Sequence, residues 1–371
     1  MAYNLLSHGF FVFILCVCVF FSYLCIMNID ILSEEEQAEM RKIIAEADHI
    51  LICCHKSPDG DAMGSSLAWA EYLRLQNKFV TIVTPDAFPD FLRWLPGTEK
   101  IIRYDKHKDI VEDLFRKADT VFCLDFNGAD RVDDMQQVLE SSEARKVMVD
   151  HHLNPYMDTS LCISHPEMSS TSELIFRILW QLGEFDNMTK KMAVAIYCGM
   201  MTDTGGFTYN STRSEIFYII SLLLLKHIDK DKIYRNVFNN YQSWAVRLRG
   251  YLMYKKLNVI DELHAAYYSL SRTEMLDFHF IKGDVEGLVN EPLRIKGLKL
   301  SISLREDDRR DNLVWVSLRS VDDFPCNEMA EQYFHGGGHK NASGGRLECS
   351  LQEAENLVRQ AIASYGEQLK K

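Results

Sequence analysis

The chain has 371 residues, with 41 Lys plus Arg against 53 Asp plus Glu, a formal charge of −12, and 47% hydrophobic and 25% charged residues. At roughly 150 residues per domain the length predicts two domains, and the composition excludes a disordered, collagen-like or multi-span membrane chain. Duplex nucleic acid is held mainly by many cations on its phosphates, so this acidic chain makes a poor duplex binder; a small anion held by a few local cations stays open. The ten Cys residues form no CxxC pair and several sit in apolar strand-like runs, which points to a reducing compartment.

Residues 1–29 contain no Asp, Glu, Lys or Arg, and residues 9–27 are nearly all apolar. Three readings compete: a single membrane anchor, an unusual signal sequence, or residues upstream of a start at Met27. The run is about long enough to cross a bilayer, but it lacks the basic flank and cleavage site of a secretory signal. No Lys or Arg precedes Arg41, and Ser33, which reads as a helix cap, follows Met27 by six residues. The expectation is therefore a cytoplasmic protein starting at Met27, with anchoring through residues 9–27 as the alternative.

From Met27 onward helices and strands alternate. Ser33-Glu34-Glu35-Glu36 is a capping-box pattern with acids in the first turn, and predicts a helix to about Ala47. HILICCH (49–55) reads as a buried strand, followed by a Gly-containing loop and a helix over 63–76. Strands follow at 79–84, 120–124 and 146–149. Ser170-Thr171-Ser172-Glu173 opens a helix by capping alone, and 188–201 and 214–226 read as further helices. From about 242 a helical stretch leads to strands near 265–270, 298–304 and 313–318. The fold class is α/β. After an apolar segment 1–27 comes a larger parallel-sheet domain (28–227) with helices on both faces. A helical linker (228–258) then leads to a smaller α/β domain (259–371).

Polar residues gather at the predicted strand ends. His55-Lys56-Ser57-Pro58-Asp59-Gly60-Asp61 follows the first strand, Asp125 ends VFCLD, Asp150-His151-His152 ends KVMVD, and Asp203 follows AVAIYCGMMT. Ligands of open α/β sheets bind beyond the carboxyl ends of the strands, so these groups should share one crevice. Singly, each has a bland reading: a turn, a helix cap, a core histidine. Asp59 does not start an EF-hand, because Met63 and Ala70 stand at ligand positions five and twelve. Jointly they offer five carboxylates, two or more imidazoles and no thiolate, a donor set suited to Mn²⁺, Mg²⁺ or Zn²⁺. So many acids together would repel unless cations lay between them, and a pair of metals is the natural resolution.

HKSPDGDAMGSS, Asp125, Asp150-His151-His152 and Asp203 together resemble the four motifs of the DHH phosphoesterase superfamily. Gly336-Gly337-Gly338-His339-Lys340-Asn341-Ala342-Ser343-Gly344-Gly345 resembles the signature of the DHH-associated C-terminal domain. Size and the GGGH motif are most similar to the branch of nano-RNases and phosphatases of pAp (3′-phosphoadenosine 5′-phosphate).

The resemblance implies an active site in the cleft between the two domains. It implies that His55 and Asp59 hold a first metal, that Asp61, His151 and Asp203 hold a second, and that Asp125 bridges both. Asp150 would orient an imidazole, and His152 would face the scissile phosphate. Arg319, Gly336, Gly337, Gly338, His339 and Asn341 would bind the substrate, the glycines by letting backbone N–H groups approach an anion. The implied cofactors are two divalent metal ions, Mn²⁺ first, with Mg²⁺ or Co²⁺ as substitutes.

The implied reaction is hydrolysis of short oligoribonucleotides to 5′-mononucleotides, of pAp to AMP and phosphate, or of both. Cyclic di-AMP or pApA is the nearest alternative substrate. A membrane-anchored nucleotide-sensing protein is the alternative from another class, disfavoured by six intact metal positions. A homodimer is compatible with either reading.

Overall fold

A computed structural model describes residues 29–370. The expectations for residues 1–27 therefore lie outside the described residues, among which no helix is long and apolar enough to cross a membrane. The chain divides into two compact units. Residues up to Ala87, Leu95–His151 and Tyr156–Ile233 form the first; Phe88–Trp94, His152–Pro155 and the chain from Tyr234 onward form the second.

The first unit is built on β1 (His49–Cys54), β2 (Phe79–Thr84), β3 (Ile102–Arg103), β4 (Thr120–Leu124), β5 (Arg145–Asp150) and β6 (Leu161–Ser164). They pair in the order β3-β2-β1-β4-β5-β6, all parallel. Parallel strands covered on both faces read as continuous apolar runs, and β4 is buried along its whole length. The chain builds outward from β1 to β3, then returns to lay β4 on the other side of β1. That reversal opens a crevice at the carboxyl ends of β1 and β4, where such sheets bind ligands.

The crossovers and later helices are α1 (Glu34–Glu46), α2 (Gly60–Leu75), α3 (Lys108–Lys117), α4 (Gln136–Ser141), α5 (Thr171–Gln181), α6 (Lys190–Asp203), α7 (Ser214–Leu225) and α8 (Lys230–Phe238). The predicted capping box is present on α1, with Ser33 and Glu36 satisfying each other's backbone N–H groups. Helix α2 starts three residues earlier than the periodicity predicts, because Asp59 acts as its N-cap and accepts from Asp61 N and Ala62 N. An Asp-Gly pair signals a turn and a helix cap equally well, and here it is the cap. Helices α2 and α6 meet through small residues: a Cβ on Gly60 would lie 2.3 Å from Thr202 Oγ1, and one on Gly64 2.5 Å from Ala195 O.

The second unit carries α9 (Ser243–Tyr251), β7 (Asn258–Ile260), β8 (Ala265–Leu270), α10 (Arg272–Asp277), β9 (Leu300–Glu306), β10 (Val314–Ser320), α11 (Cys326–Tyr333), β11 (Gly337–His339), β12 (Ala342–Leu347), α12 (Leu351–Ser364) and α13 (Gly366–Leu369). Its sheet runs β11-β12-β10-β9-β8-β7, with β8 and β9 parallel and the other neighbours antiparallel. Alternation sends Leu300, Ile302 and Leu304 of β9 and Val314, Val316 and Leu318 of β10 into one core with Ala354, Val358, Ala361 and Ile362 of α12.

The GGGH segment is one arm of a β-hairpin: Gly337 pairs with Gly344 and His339 with Ala342. The glycines are needed for packing, since a Cβ on Gly336 would sit 1.8 Å from Gly344 O and one on Gly345 2.3 Å from Phe334 O.

Gly199 of α6 is the tightest contact beside the polar strand ends, where an added Cβ would fall 1.9 Å from Ser172 Oγ and 2.8 Å from Asp61 Oδ1. Gly199→Ala is expected to cost about 1–3 kcal/mol, as overpacking does, and to lower the denaturant midpoint accordingly. An unchanged midpoint would show that α5 and α6 can separate without strain.

Candidate metal centre

Strand register builds the site. Cys54 of β1 pairs with Leu124 of β4 and Leu124 with Val149 of β5, so His55, Asp125 and Asp150 stand in one row at the carboxyl edge. Asp125 leaves β4 with φ 67°, in the left-handed region, while its N–H still donates to Val149 O (3.1 Å). Such a conformation is uncommon outside glycine and costs energy that the surrounding contacts must offset. His151 follows β5 directly, and Asp203 is the last residue of α6.

Six of the predicted residues come together in two sets. His55, Asp59 and Asp125 form one, and Asp61, His151 and Asp203 the other. His55 Nε2 lies 3.8 Å from Asp59 Oδ2 and 3.5 Å from Asp125 Oδ2. His151 Nε2 lies 3.8 Å from Asp61 Oδ2, 3.6 Å from Asp125 Oδ1 and 3.4 Å from Asp203 Oδ2. Asp125 thus turns one oxygen to each imidazole.

These separations exceed a good N–H···O bond, which ends near ~3.2 Å. They approach the roughly 3.0–3.5 Å spacing of neighbouring ligands on one cation held by ~2.1 Å bonds. The residues present therefore fit two divalent metals. Both imidazoles turn the same atom to a backbone carbonyl: His55 Nδ1 lies 2.8 Å from Lys56 O and His151 Nδ1 3.3 Å from Met168 O. A proton on Nδ1 leaves the Nε2 lone pair for a metal, the arrangement outer hydrogen bonds impose in metal sites.

The electrostatics agree. Burial alone would lower both imidazoles, but Asp125 and Asp59 hold the His55 pKa well above its usual 6.5, and Asp125 and Asp61 raise that of His151. Burial, then the Asp125 and Asp203 carboxylates, push Asp61 well up. Asp59, although burial opposes it, is lowered by its contact with His55. The thiols behind the site are raised, by burial first and then by nearby carboxylates, so Cys54 and Cys198 stay protonated and leave the metal positions to oxygen and nitrogen.

Asp150 is fully buried at the end of β5. His152 belongs to the second unit, where its ring stacks on His339 with centroids 4.9 Å apart. Arg319 is on β10, cross-strand from Ala342 and Ser301. Its Nε is buried with no hydrogen-bond partner among the described residues, which suits a donor awaiting an anion.

Gly337 and Gly338 lie on the edge strand β11, and the Gly336 N–H donates to Ala330 O. Asn341 directs its amide at Ser320 Oγ (2.9 Å), Asp322 O and Phe324 O, which ties down the hairpin.

The serine run was expected to serve capping alone, and only Ser170 does so. Thr171 N and Ser172 N donate to the Asp61 carboxylate at 2.6 and 2.8 Å, and Thr171 Oγ1 donates to Asp125 Oδ1 at 2.9 Å. No local signal could have found a contact across 110 residues.

With this geometry in hand, the comparisons define the class. The DHH family N-terminal domain matches residues 49–200 and the DHHA1 domain matches residues 264–366. The chain belongs to the DHH phosphoesterase family. An exopolyphosphatase-related protein from Bacteroides fragilis of known structure is 46% identical, with a TM-score of 0.86 over 91% of this chain and 98% of its own. The probable bifunctional oligoribonuclease and PAP phosphatase NrnA of Streptococcus mutans is 28% identical over 84% of this chain and 94% of its own. The cyclic-di-AMP phosphodiesterase GdpP of Geobacillus thermodenitrificans is 25% identical over 88% of this chain but 49% of its own.

The raised groups make the metal-free protein sensitive to alkali. For Asp61, His55 and His151 the native pKa exceeds the unfolded one, so each contributes stability that is complete below the unfolded pKa and lost as pH rises through the native value. Asp59 has the opposite sign, and its contribution is complete above 3.8 and fades only on acidification below it. In chelator the melting temperature should fall as pH is raised from about 6 to about 9, and Mn²⁺ should remove most of that fall by replacing protons. A flat profile in chelator would contradict the charge balance described above.

Proposed function

We propose that this enzyme hydrolyses short phosphate-bearing nucleotides in the cytoplasm: oligoribonucleotides of a few residues to 5′-mononucleotides, and pAp to AMP and phosphate. The observation that carries the reading is the pair of three-residue sets, with Asp125 of the first also 3.6 Å from His151 of the second, in a chain similar to a probable bifunctional oligoribonuclease and PAP phosphatase over 94% of that relative's length. Two divalent ions, Mn²⁺ by preference, would supply an activated water and neutralise charge on the phosphoryl group. His55 and Asp59 would hold one ion, Asp61, His151 and Asp203 the other, and Asp125 both. Asp150 would steady an imidazole from behind the carboxylate row.

The second unit would bind the substrate's phosphate. The guanidinium of Arg319 presents a planar fork suited to a terminal phosphate. His152 and His339, stacked on each other, would donate to non-bridging oxygens, and His152 would serve the leaving oxygen. The acidic chain has little to reward each further phosphate of a long strand.

A panel of pAp, pApA, a trinucleotide, a thirty-mer and cyclic di-AMP, assayed with Mn²⁺, tests the substrate class. Turnover should be high on pAp and the trimer and fall steeply with length. Comparable rates on the trimer and the thirty-mer would favour a processive exonuclease, and preference for the cyclic dinucleotide would move the assignment to that class.

Asp125→Asn should remove at least about a hundredfold of turnover, some 3 kcal/mol, because a neutral amide cannot hold two dications together. The fold should survive, since the substitution also relieves repulsion. More than about a tenth of the wild-type rate, in a protein with unchanged melting temperature, would exclude the shared role.

A further inference from the structure

The strand ends supply the candidate ligands, but a segment that contributes none of them holds three in place. Residues 168–172 lead into α5 and are buried throughout. Met168 O faces His151 Nδ1. Thr171 N and Ser172 N hold the Asp61 carboxylate. Thr171 Oγ1 donates to Asp125 Oδ1.

This segment is itself anchored from behind. Ser170 caps α5 by accepting from Glu173 N. The fully buried Glu173 carboxylate accepts from Ser169 N and Ser169 Oγ, from Arg177 Nε and Nη2, and from Arg213 Nη2. A buried carboxylate with two guanidinium partners and two further donors is well satisfied, and breaking one arm would leave charge uncompensated.

The Thr171 hydroxyl has a specific consequence for Asp125. A carboxylate oxygen has two lone-pair directions. On Oδ1 one is taken by Thr171, while the oxygen lies 3.6 Å from His151 Nε2. Oδ2 lies 3.5 Å from His55 Nε2, on the other set. Turning both oxygens onto one cation would break the Thr171 bond and leave its fully buried hydroxyl without that acceptor.

We propose that Thr171 is a positioning residue that fixes Asp125 as a bridge with one oxygen per metal, and so sets the affinity of the two-metal centre. The inference rests on the two-metal reading of the preceding section. Thr171 is fully buried and acts through Asp125. The backbone N–H of the same residue goes to Asp61, so side-chain substitution removes one contact and spares the other.

The test is Mn²⁺ titration by calorimetry of metal-stripped full-length wild type, Thr171→Val and Thr171→Ser, with melting temperatures in chelator. Wild type should bind two ions. Thr171→Val keeps the shape and the backbone donor, so its metal-free melting temperature should stay within a few degrees of wild type. Its affinity for at least one ion should fall about tenfold or more, the usual range for an outer partner of a metal ligand. The Mn²⁺ concentration for half-maximal activity should rise in parallel, while KM at saturating Mn²⁺ holds. Thr171→Ser should restore affinity.

Mn²⁺ affinity of Thr171→Val within twofold of wild type would overturn the inference. So would a variant that fails to fold or melts far lower without metal, because Thr171 would then be a packing residue. Wild type that binds fewer than two ions would instead overturn the two-metal reading, and this inference with it.

Discussion

Carboxylate repulsion is the constraint to which the rest of the first unit is fitted. Asp59, Asp61, Asp125 and Asp203 crowd around two imidazoles at 3.4–3.8 Å. Two like charges about 4 Å apart repel by about 4 kcal/mol at an effective dielectric of about 20, and several such pairs act together. The protein answers in part with dipoles. Asp59 takes two N–H groups at the start of α2, Asp61 two at the start of α5, and Asp125 a hydroxyl. Partial charges at helix starts favour anions but do not neutralise four of them. The neighbouring cations have other partners, Arg177 and Arg213 on Glu173 and Lys56 on Asp133. The remaining charge is what protons on the imidazoles, or two dications, must balance.

That concentration of charge depends on strand order as much as on residue type. Because the chain reverses direction across the sheet between β1 and β4, the residues that follow those two strands become neighbours although 70 positions separate them in sequence. Side chains alternate along a strand, and a one-residue slip would send them to the other face. The apolar runs ILICC and VFCL admit no such slip, being buried on both sides. Glycines at 60, 64 and 199 then bring α2 and α6 close enough for Asp61 and Asp203 to reach the same imidazole. The geometry of the cluster is therefore coupled to packing at glycines that contribute no side chain to it.

Much of this was legible in the sequence, and for identifiable reasons. Buried strands announce themselves as apolar runs, and polar residues at their ends are exceptional enough to be noticed; His55, Asp125 and His151 were found that way. Capping is local, so Ser33 and Glu36 were read correctly. What failed was non-local or ambiguous. Asp59 sits in an Asp-Gly pair that serves turn and cap alike. Thr171 looked like part of a capping run, because its true partners, Asp61 and Asp125, lie 110 and 46 residues away. The strand in the glycine run was not foreseen, since glycine disfavours strands by propensity. Here close approach to Phe334 and Gly344 outweighs propensity, and only small residues fit.

The two ligand sets are unequal, and the inequality follows from where their helices begin and end. Asp59, at the N-cap of α2, keeps half of its side chain exposed, whereas Asp61, the second residue of the helix, is nearly sealed along with His151. Charges removed from water interact more strongly and lose more hydration. The set built on Asp61 and His151 therefore has the greater demand for a cation, and the set built on His55 and Asp59 has the freer access to water. Asp125, buried but shared, links the closed set to the open one. The open set faces solvent, the closed set is braced by α5 and α6, and Asp125, from the open set, reaches within 3.6 Å of His151 in the closed one.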